Sequence, residues 1–62
     1  MKGVCKFYNP IKNFGFIIGE DGQNYFVHKT GIKEGIELNE GDEVTFETEE
    51  NEKGFKAVNV SK

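Results

Sequence analysis

Lys12-Asn13-Phe14-Gly15-Phe16-Ile17, taken together with Tyr25-Phe26-Val27-His28, decides the fold. Successive side chains of a β-strand leave opposite faces. In the first stretch that alternation puts Phe14 and Phe16 on one face and Gly15 and Ile17 on the other. In the second, Phe26 and His28 share a face opposite Tyr25 and Val27. A half-buried strand normally shows one apolar face and one polar face. Here one face carries core-type residues, Ile17 and Val27, and the other carries rings. A chain of 62 residues is too short to cover both faces of such a sheet. Phe14, Phe16, Phe26 and the His28 ring are therefore expected on an outer surface.

Outward from this centre, Lys2 to Tyr8 reads as a first strand. Val4, Lys6 and Tyr8 lie in one phase, and Gly3, Cys5 and Phe7 in the other. Asn9-Pro10 ends it, since proline offers no N–H to a ladder. The second strand runs from about Lys12 to Gly19, and Glu20-Asp21-Gly22-Gln23 is a tight turn. A third strand covers about Asn24 to Lys29. Thr30 to Glu40 reads as a loop with a short helical turn near Thr30–Lys33, pinned by Ile32, Ile36 and Leu38. After the turn Asn39-Glu40-Gly41-Asp42, a fourth strand spans Val44 to Thr48, with Val44, Phe46 and Thr48 in phase. Glu49 to Gly54 reads as a charged hairpin tip. Phe55 to Val60 is the fifth strand, with Val58 and Val60 in one phase. Five short strands at this spacing predict a small antiparallel sandwich or barrel. Closure removes exposed strand edges that so small a domain could hardly cover. The expectation is an all-β, five-stranded antiparallel OB-fold barrel forming a single domain over residues 1–62, with an SH3-like barrel as the structural competitor.

Composition narrows the function. The lone Cys5 has no disulfide partner and no metal-site spacing. No apolar run approaches the roughly 18 residues of a membrane span, and the N-terminus lacks a signal-peptide core. A soluble, cytoplasmic protein without cofactor or metal is expected. Net charge is −3, unlike a simple basic nucleic-acid binder. The charge is uneven, however. Residues 1–31 hold four lysines against two acids, and residues 32–62 hold four against nine. Positive charge thus accompanies the rings. There is no arginine, so any phosphate contact falls to lysines or backbone N–H groups.

With its strands placed, the chain resembles a cold-shock domain. The Lys12–Ile17 stretch resembles the family's Lys-Gly-Phe-Gly-Phe-Ile, and Tyr25–Lys29 its Val-Phe-Val-His-Phe. Gly3–Asn9 is similar to the opening Gly-x-Val-Lys-Trp-Phe-Asn. Leu38–Gly41 with Val44–Phe46 resembles the entry to strand four, and Ala57–Val60 the closing Ala-x-Asn-Val. The chain departs from the pattern at Phe7 (usually Trp), Asn13 (Gly), Lys29 (an aromatic) and Phe55 (Pro). The segment between Ile32 and Leu38 is shorter than is typical, with Ile36 near the place of a further phenylalanine. The resemblance implies a barrel that binds single-stranded RNA or DNA with an aromatic face, without enzymatic activity, and so keeps transcripts unpaired.

The chemistry agrees with that implication. Unpaired bases stack on aromatic rings for roughly 1–3 kcal/mol each, whatever the sequence, because every base has a π-face. Rings at i and i+2, beside rings on a neighbouring strand, make adjacent stacking stations. Phe14, Phe16, Phe26 and His28 meet that requirement, with Phe7 a fifth. Tyr8 fits either a station or the core. Lys6, Lys12 and Lys53 are the first candidates for phosphate, with Lys29 and Lys56 behind them. A monomer holding a nucleic-acid strand is expected, with no small-molecule substrate. The alternative is a β-barrel whose aromatic patch grips an extended peptide.

Overall fold

The computed structural model describes residues 1–52 and 54–62. Five strands form: β1 (Lys2–Asn9), β2 (Phe14–Gly19), β3 (Asn24–His28), β4 (Glu43–Asn51) and β5 (Gly54–Ser61). They close into a barrel in the order β1-β2-β3-β5-β4. The pairs β1–β2, β1–β4, β2–β3 and β4–β5 are antiparallel, and β3–β5 is parallel. This is the all-β OB-type barrel expected, with one parallel seam. Among the described residues, no helix is long and apolar enough to cross a membrane.

The barrel interior is filled by Cys5, Ile17, Tyr25, Val27, Leu38, Val44, Phe46, Ala57 and Val60. Ile17 and Val27 lie there as alternation requires, both fully buried. Two slips in phase correct the simple strand reading. In β1, Cys5 pairs with Ile17, but Phe7 rather than Lys6 pairs with Phe16. The extra residue is a β-bulge, which locally resets which side chains face inward. It is held from the far side: the Cys5 N–H donates to the Asp42 carbonyl and the Cys5 carbonyl accepts from Gly41 N–H, each at 2.8 Å. Cys5 therefore enters the core while Phe7, expected in the same phase, turns outward. In β5, Ala57 and Val60 are both buried although three residues apart. Asn59 between them adopts a left-handed φ of 52°. Val58 is left half-buried instead of sharing the core with Val60.

β4 also runs further than the alternation indicated. Glu49, Glu50 and Asn51 pair with Lys56, Phe55 and Gly54, so most of the expected hairpin tip is ladder. Both faces of that stretch are polar, which erases the period-2 signal while leaving the backbone bonds intact. The helical turn in the long loop is a 3₁₀ turn over Lys29–Gly31, starting one residue and ending two residues earlier than expected. Leu38 is buried, and Ile32 and Ile36 pack against the core, pinning the loop to the barrel.

Glycine sets how closely β1 and β2 meet, most tightly at Gly15. Gly15 is buried and faces inward. A methyl group there would collide with the Phe7 carbonyl oxygen and come within 2.8 Å of the Tyr8 Cα. Tyr8 is half-buried against the core and so belongs to the barrel wall, not to the ring surface.

Candidate nucleic-acid interface

Strand register assembles the rings. Across the sheet, Phe7 pairs with Phe16, Phe16 with Phe26, and Phe26 with Lys56. Phe14 pairs with His28 in the adjoining row of the same face. The bulge after Cys5 is what brings Phe7 into this row. Ring centroids lie 5.7 Å apart for Phe7–Phe16 and 5.8 Å for both Phe16–Phe26 and Phe14–Phe26. Phe14 closes the cluster at 6.2 Å from Phe7 and 6.4 Å from Phe16. Most of these contacts are tilted or edge-on, the geometry favoured by the ring quadrupole.

None of the four phenylalanines belongs to the core. Phe7 and Phe26 keep 39% and 37% of their surface exposed. Phe14 and Phe16, expected on an outer surface, are half-buried there, because the neighbouring rings cover their flanks. The result is a tiled apolar surface. His28 is exposed at its edge. Its Nδ1 accepts the Thr30 N–H at 3.2 Å and lies 3.1 Å from Thr30 Oγ1. That bond caps the 3₁₀ turn, fixes the ring orientation and assigns the neutral ring's proton to Nε2.

The lysines are less uniform. Lys6 is the exposed bulge residue beside Phe7, and Lys12 is exposed on the β1–β2 turn. That turn is built by Asn9, whose Oδ1 accepts the N–H groups of Ile11 and Lys12 at 3.0 and 3.1 Å. Asn13 follows with φ at 60°, a conformation glycine takes freely and asparagine tolerates. Its carbonyl accepts the Lys29 N–H at 2.9 Å, tying the turn to the 3₁₀ segment. Lys29 faces an open groove of about 530 Å³ lined by Phe7, Tyr8, Ile36, Glu34 and Glu37 among others. Lys53 lies outside the described residues.

Two large apolar residues beyond the expected set are exposed. Phe55 is 45% exposed and stands edge-on to Tyr25 at 6.0 Å. With Phe26, Asn51, Gly54 and Lys56 it lines a groove of about 460 Å³ at one end of the ring surface. Ile11 is 90% exposed on the β1–β2 turn. A large apolar residue inside a turn, and one directly after a charged hairpin tip, were the available signals for Ile11 and Phe55 respectively.

The groups with perturbed ionisation lie away from the rings. Burial, then the Asp42 and Glu40 carboxylates, push the Cys5 thiol up, so it stays protonated at neutral pH. The Tyr25 hydroxyl donates to Asp21 Oδ2 at 2.6 Å, which holds the Asp21 carboxyl below its usual range and the Tyr25 hydroxyl above its own. Among the described residues, no three His, Cys, Asp or Glu side chains cluster as a metal site would require.

Residues 1–62 match the family described as the 'Cold-shock' DNA-binding domain. The chain is 45% identical over 60 residues to cold shock protein 2 of Lactiplantibacillus plantarum, covering 94% of this chain and 91% of that protein. It is 43% identical over 63 residues to the major cold shock protein of Streptococcus pyogenes serotype M18, covering 98% and 94%. Cold shock protein CspC of Bacillus subtilis is 41% identical over 63 residues, covering 98% and 96%. The ring surface on a closed five-stranded barrel, matched along its whole length, makes this chain a member of the cold-shock domain family of nucleic-acid-binding, non-enzymatic proteins.

Proposed function

We propose that the chain acts as a single domain and a monomer in the cytoplasm, binding single-stranded RNA or DNA with low sequence specificity. Phe7, Phe14, Phe16, Phe26 and His28 are the stacking stations, and Lys6, Lys12 and Lys53 meet phosphates. The observation that carries this reading is the continuous outer row Phe7–Phe16–Phe26, with Phe14 and His28 beside it and, among the described residues, no element of the fold laid over it. Bases inside a duplex hide their π-faces in the stack, so such a surface gains most from strands whose bases are free. A strand held this way cannot fold back on itself, and the protein keeps transcripts open as a nucleic-acid chaperone. Phe55 extends the apolar surface past Phe26, in the groove the two share. Few lysines and an acidic body imply micromolar affinity, of the order of −8 kcal/mol, and a shallow salt dependence.

Calorimetric titration with an oligothymidine, and release of a quenched RNA hairpin, test the two halves of the proposal. Phe16→Ala combined with Phe26→Ala removes two stations, each worth about 1–3 kcal/mol. The double variant is expected to lose binding at micromolar strand while keeping the far-ultraviolet circular dichroism of the barrel. Full binding by the double variant, or tighter binding of an extended aromatic peptide than of the oligonucleotide, would overturn the reading.

A further inference from the structure

The row of paired residues on the ring face does not stop at Phe26. It continues Phe26, Lys56, Glu49, crossing β3, β5 and β4 in register. Lys56 Nζ lies 3.5 Å from Glu49 Oε1, with the two side chains 40% and 55% exposed. Lys56, the ladder neighbour of Phe26 at the end of the aromatic row, is thus already paired. Its partner lies on a strand that also carries Glu43, Glu47 and Glu50. Glu47 is itself engaged, accepting from Asn59 Nδ2 at 2.9 Å. Phosphate approaching Lys56 would have to displace a carboxylate and enter the field of this acidic strand.

Resting on the nucleic-acid reading above, we propose that Glu49 withholds Lys56 from the bound strand's backbone, and that this internal pair sets the affinity of the ring surface. Exposed ion pairs are weak, so the restraint is modest and removable by one substitution. It is also local, because Glu49 and Lys56 are direct cross-strand neighbours. Among the described residues, Lys6 and Lys12 have no such carboxylate opposite them in the ladder. Lys56 alone among these three is neutralised by its register.

The test is a double-mutant cycle on the full chain, read as oligothymidine affinity across a salt series. Glu49→Gln is expected to tighten binding about 1.4- to five-fold at low salt, the range such a pair spans. One additional phosphate contact should steepen the salt slope by about 0.7. Lys56→Gln alone is expected to leave affinity nearly unchanged, because that lysine makes no phosphate contact while paired. In the Glu49→Gln background the same change should abolish the gain. Glu43→Gln, which alters net charge equally but lies beside Val4 and Lys2 in a groove lined also by Ile18, supplies the charge control. Equal tightening by Glu43→Gln, or a gain that survives Lys56→Gln, would overturn the inference while leaving nucleic-acid binding intact. A strong loss on Lys56→Gln alone would overturn it in the other direction, by showing the lysine already engaged. No binding by any of these proteins would overturn the nucleic-acid reading itself, and this inference with it.

Discussion

Gly15 and Cys5 show how much the ring surface owes to residues that carry no ring. Gly15 lets β1 cross β2 so closely that any side chain there would meet the Phe7 carbonyl and the Tyr8 backbone. Those opposing atoms are backbone, which cannot swing aside. Gly15→Ala is therefore expected to destabilise the barrel by about 1–3 kcal/mol, measured by urea unfolding. The loss should come with displaced amide signals at Phe7 and Tyr8. Cys5, fully buried and with its thiol held protonated, makes a complementary prediction. It should react with an aromatic disulfide reagent only as fast as the protein opens, and at once in denaturant. Rapid labelling of the native protein would contradict its place in the core.

At the scale of elements, the β1–β2 turn fixes where Lys12 stands and how β2 enters the sheet. Asn13 takes a left-handed conformation that costs a residue with a β-carbon about 1–2 kcal/mol, a penalty asparagine partly escapes. Asn13→Ala is expected to lower unfolding free energy by about 1 kcal/mol, and Asn13→Gly to leave it equal or raise it. Strand existence was legible here because Phe14–Ile17, Tyr25–His28 and Val44–Phe46 alternate without interruption. Alternation reports phase only within an unbroken strand, however. It could not reveal the bulge at Lys6, which is stabilised by the distant Gly41–Asp42 backbone, nor the left-handed Asn59 that lets Ala57 and Val60 share the core. It also missed the end of β4, where glutamates on both faces left only backbone bonds as evidence of strand. The shared face of Phe14, Phe16, Phe26 and His28 was readable because they lie on two clean strands, whereas Phe7 joins them only through the bulge in β1. Lys56 paired to Glu49 was not, since that contact depends on which strands become neighbours.

For the whole molecule, the ends of the barrel respond to pH through groups far from the rings. Asp21 is held below its ordinary value by the Tyr25 hydroxyl and then the Gln23 N–H. Asp42 is held below its own by Lys62, at 2.7 Å, and then the Asn39 N–H. A carboxyl depressed in the folded state contributes stability above its unfolded value, near 4, and loses it as pH falls through the lower folded value. Tyr25 is raised, so its contribution is complete below about 10 and fades as pH climbs through the higher folded value. Thermal melts should therefore hold level near neutrality and fall at both extremes. Tyr25→Phe, which breaks the shared hydrogen bond, should shrink the acid-side loss attributable to Asp21; an unchanged acid limb would contradict the role given to that bond.

The barrel has two contrasting outer faces: the rings on one, and on another the small exposed apolar pair Val4 and Ile18. Which of them meets nucleic acid is the central question. A titration of isotopically labelled protein with a six-thymidine strand, followed by amide chemical shifts, answers it directly. Shifts are expected at Phe7, Phe14, Phe16, Phe26 and His28, with Val4, Ile18 and Glu43 unmoved. Shifts confined to Val4, Ile18 and Glu43, or none at low salt, would contradict a nucleic-acid surface made of rings.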